Sequence, residues 1–321
     1  RQGARGEPER GVGAEVVALA AAELALASED AAVLDTLGGE GGRHLWELVD
    51  FNPAQIIQDF HDNSKHVGRL WRPNVATVGP LDQVRIDRTV HLDPMVVLDT
   101  REGPVIIDHD ATITAFSRLE GPCYIGPHTQ IMGAKIRAGT SLGPQCRIGG
   151  EVEASIVQGY SNKYHEGFLG HSYVGEWVNL GAGTHNSDLR NDYGEVMMTV
   201  QGRRLATGRK KVGCYLGDHT KSALGSLLNT GTNAGIFSNL LPVAGLLPKY
   251  IPCFSTVWNG QLTESTDLSR LLKTAQKVME RRGITLTSSH VDLYTELLSQ
   301  TQEERQRAIQ EAEQRRLRRS A

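Results

Sequence analysis

The chain is predicted to be an all-β solenoid: a parallel β-helix of hexapeptide repeats with helical extensions at its N- and C-terminal ends. Two observations carry this. An aliphatic residue followed by Gly recurs every six positions, at Val174-Gly175 and Leu180-Gly181, and that period marks a β-helix coil. Gly is abundant (35 residues) and aromatic residues are scarce (6%), as expected of thin coils with no room for large rings. In each coil the aliphatic side chain points into a narrow core. Gly or a small residue takes the turn, where a β-carbon would clash. A sandwich would instead show turn signals roughly every 8–12 residues.

The elements follow in order. Residues 1–12 are polar and expected to be disordered, and the Ala- and Leu-rich Val16 to Leu26 reads as a helix. Asn52-Pro53 reads as a helix start, with Asn as the cap and Pro at the first helical position. The six-residue phase is faint at Val84, Val90, Val96 and Ile107, then clear through Ile125, Ile131, Ile136, Leu142, Ile148 and Ala154. Its slips, from Thr112 to Cys123 and from Ile131 to Ile136, predict bulges or loops leaving the coil. A polar insertion interrupts the coils after Thr184, and within it Glu195 to Leu205 should form a projecting hairpin turning at Gln201-Gly202. The phase resumes at Leu216, Ser222, Leu228, Ala234 and Leu240. The β-helix is thus expected from about Trp71 to Pro248, with Val174, Leu180, Leu216 and Leu228 inward. A helix capped by Ser265 or Thr266 then runs through Met279 and stops at Gly283; a second follows Ser288-Ser289, and a charged third starts near Glu303. The basic run Arg315 to Arg319 reads as a solvated helix end, where cations offset the helix dipole. This divides the chain into an N-terminal helical segment and linker (1–68), a β-helix domain (69–250) and a C-terminal helical extension (251–321).

Composition removes several function classes. A net charge of −3 gives no pull toward nucleic acid or an anionic membrane. Cys123, Cys146, Cys214 and Cys253 are scattered without CxxC pairs, which reads as buried thiols in a reducing compartment. No apolar run reaches the roughly 20 residues that span a bilayer, and no signal-peptide pattern opens the chain. A cytoplasmic protein is expected.

The chemistry centres on His165, just ahead of the cleanest coils. Acyl transfer to an amine needs a base working near neutral pH, which suits imidazole. It also needs a donor for the thioester carbonyl, and a backbone N–H in a turn such as Gly181-Ala182-Gly183 can supply one. The run Ser161-Asn162-Lys163-Tyr164-His165, followed by Asn179-Leu180-Gly181-Ala182-Gly183-Thr184, resembles the acetyltransferase domain of the bifunctional enzymes that make UDP-N-acetylglucosamine. Asp188-Leu189-Arg190, Gly202-Arg203-Arg204, Thr207-Gly208-Arg209-Lys210-Lys211 and Leu216-Gly217-Asp218-His219 are similar to the insertion of the bifunctional sugar-1-phosphate nucleotidylyltransferase/amino-sugar-1-phosphate acetyltransferases. The resemblance covers about residues 120–250.

The resemblance implies a left-handed β-helix, an acetyl-CoA co-substrate, an amino-sugar phosphate acceptor and a homotrimer whose sites lie between neighbouring stacks. It implies His165 as general base and Asn179 beside the acceptor. Lys163, Phe168, Asp188 and Arg190 would bind substrate; Gly181, Ala182, Gly183, Lys210, Lys211 and Ser222 would bind the cofactor. Departures are visible too. Phe168 stands where the family has Tyr, Asp188 where it has Asn, and no basic pair lies between Val152 and Tyr160. Which amino sugar is accepted stays open. The Gly-rich loop of a nucleotidyltransferase has no counterpart in residues 1–80, so that activity is not expected of this chain; Leu45 to Val49 reads as the tail of such a domain. Two other readings compete. One is a non-catalytic β-helix that regulates or oligomerises a sugar nucleotidyltransferase. The other is a zinc site from His165, His171, His185 and His219, as in β-helical carbonic anhydrases that bind zinc with three histidines across a trimer interface, but their spacing repeats no metal pattern, so no metal is expected.

Overall fold

The structure, a computed structural model, describes residues 44–62, 74–241 and 245–320. Chain contacts divide it into two compact units, Arg1–Leu48 and Val49–Ala321. The expectations for residues 1–12, for Val16 to Leu26 and for a β-helix start at Trp71 fall outside the described residues.

The second unit is built on the parallel β-helix expected from the hexapeptide phase. One unbroken parallel ladder joins Val84–Ile86, Val105–Ile107, Cys123–Ile125, Thr140–Leu142, Ile156–Val157, Tyr173–Val174, Cys214–Leu216, Thr232–Ala234 and Tyr250–Ile251. Its register sets Ile86, Ile107, Ile125, Leu142, Val157, Val174, Leu216, Ala234 and Ile251 one above another in a single column. A second column holds Leu98, Leu119, Ile136, Val152 and Leu169, and a third opens with Leu92, Ile113, Ile131 and Ile148. All of these are buried. Complete burial of one such side chain is worth about 1.5–3 kcal/mol, and here the burial comes from the coils above and below.

The phase slips have two origins. Gln130–Ile136 and Arg147–Glu153 run on as long strands whose pairing shifts at Gly149/Glu151, with Gly133 and Gly150 in left-handed conformation. This is a bulge. From Thr112 to Cys123 nothing leaves the coil: Thr112–Ile113, Arg118–Glu120 and Cys123–Ile125 are successive sides of it, joined by corners of unequal length. The hairpin forms from Met197–Val200 and Arg203–Ala206 around Gln201-Gly202. It does not stand clear of the coils, because Val196 and Met198 are buried and Asn233 Nδ2 donates to Thr199 O at 3.0 Å.

Helix α1 (Leu45–Asp62) runs straight through Pro53, so Asn52-Pro53 is not its start. The Asn52 side chain does something else. Its Nδ2 donates to Gly139 O (2.8 Å) and its Oδ1 accepts from Ser141 Oγ (2.8 Å), so the amide that would cap a helix pins this one to a coil. Helix α2 (Leu268–Glu280) is capped by Asp267, whose side chain accepts from Arg270 N–H, in place of Ser265 or Thr266. Helix α3 (Ser288–Gln300) is capped by Thr287, and helix α4 (Gln302–Ser320) follows.

Several aromatic residues are gathered at one corner. There a non-Gly residue of each coil adopts left-handed φ: Asp110, His128, Gln145, Tyr160, Trp177, His219, Phe237 and Phe254. From His128 on, each of these N–H groups bonds a carbonyl of the preceding coil. Tyr160 and Trp177 stack at 4.2 Å, and His219 and Phe237 at 4.6 Å. Helix α3 covers them with Tyr294, whose hydroxyl meets His219 Nε2 at 3.1 Å. Rings excluded from the coil interior thus form an outer seam that docks a helix.

Beside this seam Glu176 N–H donates to Asp218 Oδ1 at 2.8 Å. Burial pushes the Glu176 carboxyl up to about 7, with repulsion from Asp218 adding to it, and pushes Asp218 up to about 6. Folded values above unfolded ones mean that the native state holds more protons between about pH 4 and 7. The stability this pair contributes is therefore fully present below that window and is lost as pH rises through it. The thermal midpoint should drop between about pH 5 and 7.5, and Glu176→Gln should flatten the drop. An identical slope in the variant would exclude this pair as the cause.

Candidate active site

Tyr164, His165 and Glu166 form an exposed corner of one coil. The next coil brings Ala182 and Gly183 to the same corner, and the one after it Leu224 and Gly225. Gly183 N–H donates to Glu166 O at 3.0 Å, and Gly225 N–H to Ala182 O at 2.7 Å. His165 is therefore about one strand spacing, roughly 4.8 Å, from the Gly181–Gly183 turn. Gly181 is required there, because a β-carbon would come within 2.5 Å of Ala223 C and Leu224 N. The turn's N–H groups are not equivalent. Gly181 N–H donates to Ser222 Oγ (3.0 Å) and Gly183 N–H to Glu166. Ala182 N–H has no partner among the described residues, and Ala182 is exposed. Ser222, expected at the cofactor, is buried and also bonds Thr184 Oγ1 at 2.9 Å, so it aligns the turn from inside.

Lys163, expected at the substrate, points into the solenoid. Its register follows Ile148, which puts an ammonium in the third aliphatic column, 4% exposed. Nζ donates to Gly149 O (2.7 Å) and His165 O (3.0 Å). Burial pushes this amine down to about 8, against the pull of Glu166 and Glu151. Lys163 thus fastens the backbone of His165 from beneath. The hexapeptide phase already contains the signal, since Lys163 lies six residues after the buried Val157.

Asn179 is exposed on the coil that leads into the Gly181–Gly183 turn. Its Oδ1 accepts from Asn162 Nδ2 at 3.2 Å, while Asn162 Oδ1 accepts from Arg282 at 2.7 Å. Arg282, just past α2, was not legible as a site residue, because only folding brings the C-terminal segment back to Asn162.

The remaining expected residues gather elsewhere. Strand Phe168–Gly170 leads away from His165 to a second corner, where His171 Nδ1 bonds Asp188 Oδ2 at 2.8 Å. Lys211 Nζ lies 3.6 Å from Glu153 and 4.0 Å from Asp188. Burial pushes the Asp188 carboxyl up, but the bond from His171 and the charges of His171 and Lys211 outweigh it and hold the carboxyl below its usual range. Six residues of near-extended chain separate the corners by up to about 20 Å. Phe168 lies between, its N–H donating to His185 Nδ1 at 3.1 Å. The Arg190 guanidinium is paired with Asp192, and Lys210 is exposed. Within one chain, then, His165, Gly181, Ala182 and Gly183 come together, while Asp188, Lys211 and the exposed Lys210 belong to the other corner. Within one chain the four histidines of the zinc reading do not converge: His165 is at the first corner, His171 at the second, His185 on Phe168, and His219 is buried against Tyr294.

No family model matches the chain. A bifunctional sugar-1-phosphate nucleotidylyltransferase/acetyltransferase from Sulfurisphaera tokodaii is 35% identical over 155 residues, covering 44% of this chain and 36% of that protein. Bifunctional GlmU proteins of Gloeothece citriformis and Methanocaldococcus jannaschii are 30% and 31% identical, over 57% and 53% of this chain and 46% and 41% of theirs. The chain is similar to part of each of these bifunctional proteins. It spans less than half the length of each of these three relatives. Among the described residues no helix is long and apolar enough to cross a membrane.

Lys163→Met keeps the column filled but leaves Gly149 O and His165 O without their donor. A buried unpaired acceptor costs about 1–3 kcal/mol, felt here as local opening. Amide exchange at Gly183, whose N–H bonds Glu166 O, should rise by about tenfold or more, with exchange in the coils around Ile107 unchanged. Unchanged exchange at Gly183 would show that the ammonium does not hold this corner.

Proposed function

We propose that the chain is an acetyl-CoA-dependent N-acetyltransferase acting on an amino-sugar phosphate of the glucosamine-1-phosphate kind, in nucleotide-sugar biosynthesis in the cytoplasm. The observation that carries this is the corner pairing of an exposed imidazole, His165, with the unpartnered N–H of Ala182 on the next coil. The relatives' names, which join a sugar-1-phosphate to acetyl transfer, supply the substrate class. In this reading residues 69–250 are the acyltransferase domain, 1–68 a linker and 251–321 an extension that adds Arg282.

The chemistry follows from those positions. His165 takes the proton from the acceptor ammonium, freeing its lone pair to attack the thioester carbonyl. The oxyanion forms against Ala182 N–H, a donor already aimed and needing no reorganisation. Collapse breaks the C–S bond, the adduct nitrogen gives its second proton to the departing sulfur, which leaves as the CoA thiol, and His165 releases the first proton to solvent. Asn179, oriented by Asn162 and Arg282, holds the acceptor, and Gly181 and Gly183 shape the cofactor turn with Ser222 behind it. Lys210 and Lys211 meet phosphate. Because those lysines, Asp188 and Arg190 stand away from His165 in one chain, a complete site draws its second wall from a neighbouring copy. The apolar surface beside His165 favours the same arrangement: Leu224 is 76% exposed, and Leu227, Leu246 and Tyr164 are exposed near it. The assembly proposed is a cyclic homotrimer.

Two results are expected. Light scattering at micromolar concentration should give a trimer, and a monomer would remove the shared site. Thiol release from acetyl-CoA should be seen with at least one member of a panel of amino-sugar 1-phosphates, and His165→Ala should lower kcat by about 10²–10⁴. Lys210→Ala should instead raise KM for the phosphorylated acceptor. Full activity in His165→Ala would end the assignment. Asp188 and Arg190, already paired, favour the second reading, a non-catalytic β-helix serving a sugar nucleotidyltransferase. That reading is the one left if no acceptor supports thiol release.

A further inference from the structure

We propose that His109, Asp110 and His128 form a binding site for a divalent transition-metal ion of the zinc class, at the opposite end of the aromatic seam from α3. One donor atom from each of the three lies within 4.8 Å of the others, and no other such group occurs among the described residues. Asp110 Oδ2 is 3.1 Å from His109 Nδ1 and 3.9 Å from His128 Nδ1. Two ligands about 2.1 Å from a tetrahedral ion stand about 3.4 Å apart. The observed separations bracket that value, so small ring rotations suffice to close the set.

The scaffold that holds them is rigid. Asp110 and His128 occupy equivalent left-handed corner positions on consecutive coils, φ 55° and 57°. Farther along, the same positions carry the stacked rings that α3 covers. Here His128 N–H donates to His109 O at 3.0 Å, and Asp110 N–H to Thr89 Oγ1 at 2.8 Å. The His109 and His128 rings meet at 88°, so they do not stack and their nitrogens turn toward the carboxylate. Asp108 supports the set from behind, accepting from His109 N–H (2.7 Å) and the Tyr124 hydroxyl (3.0 Å).

Two imidazoles and one carboxylate, with further positions open to water, suit Zn²⁺ and its late first-row neighbours rather than Mg²⁺ or Ca²⁺, which prefer all-oxygen sets. All three side chains are exposed, so an ion can enter without opening the fold.

The test uses the untagged full chain, stripped with chelator and titrated with Zn²⁺ by calorimetry beside a Mg²⁺ titration. The expected result is one Zn²⁺ per chain with micromolar or tighter affinity, no Mg²⁺ binding, and a thermal midpoint that rises with Zn²⁺. His128→Ala and Asp110→Asn should each weaken binding by about tenfold or more and cancel the rise in midpoint. Their metal-free stability should match that of the unaltered chain. His91→Ala, which removes an exposed histidine on the preceding coil, should leave binding intact. The proposal is overturned if the chain takes up no Zn²⁺ in the micromolar range, or if His128→Ala keeps the same stoichiometry and affinity.

Discussion

Everything in this molecule depends on the stacking register of the inward column. A single coil cannot bury Ile125 or Leu142, because its two flat faces are open and only the coils on either side take those side chains out of water. The parallel pairs Ile107↔Ile125, Leu142↔Val157 and Val174↔Leu216 are thus both the hydrogen-bonded ladder and the core. The pair Val174↔Leu216 spans the insertion, so the insertion leaves and returns without costing the column a step. It can carry Asp188, Arg190, Lys210 and Lys211 on a segment that need not obey the hexapeptide rule.

The same constraint makes departures from the column informative. The third column reads Leu92, Ile113, Ile131, Ile148 and then Lys163, with Leu180 and the buried Ser222 continuing the hexapeptide phase. Both polar substitutions act on the candidate site from beneath. Lys163 holds the carbonyl of His165, and Ser222 takes up the Gly181 N–H, which leaves the Ala182 N–H as the one without a partner. An aliphatic residue at either position would pack as well but could not orient a backbone dipole. Burial keeps these bonds free of competition from water while the imidazole they position faces outward.

The aromatic seam shows the fold's answer to a second constraint. A coil too thin for rings places them at the left-handed corner positions, where the side chain projects outward. Tyr160, Trp177, His219, Phe237 and Phe254 then offer one continuous surface. Helix α3 settles on it through Tyr294, and the chain past α2 is brought back so that Arg282 reaches Asn162. Toward the N-terminal end the same positions hold Asp110 and His128, which face solvent.

The sequence by itself determined the β-helix and its inward aliphatic residues through the period of six, the hairpin turn through Gln201-Gly202, and three C-terminal helices through their caps and stops. Each is a local consequence of side-chain periodicity or turn chemistry, which a linear sequence carries in full. His165 and the Gly181-Ala182-Gly183 turn were legible for the same reason, lying one coil apart. Only the tertiary structure decided the rest. Asn52 looked like a cap because its partners, Gly139 and Ser141, are far away in sequence. Lys163 looked like a surface ligand because its charge hid an inward phase position. Asp188 and Lys211 looked close to His165 because sequence distance ignores the corner between them. In each case a hydrogen bond or charge pair formed across coils outweighed the local preference, and such partners become neighbours only when the coils have stacked.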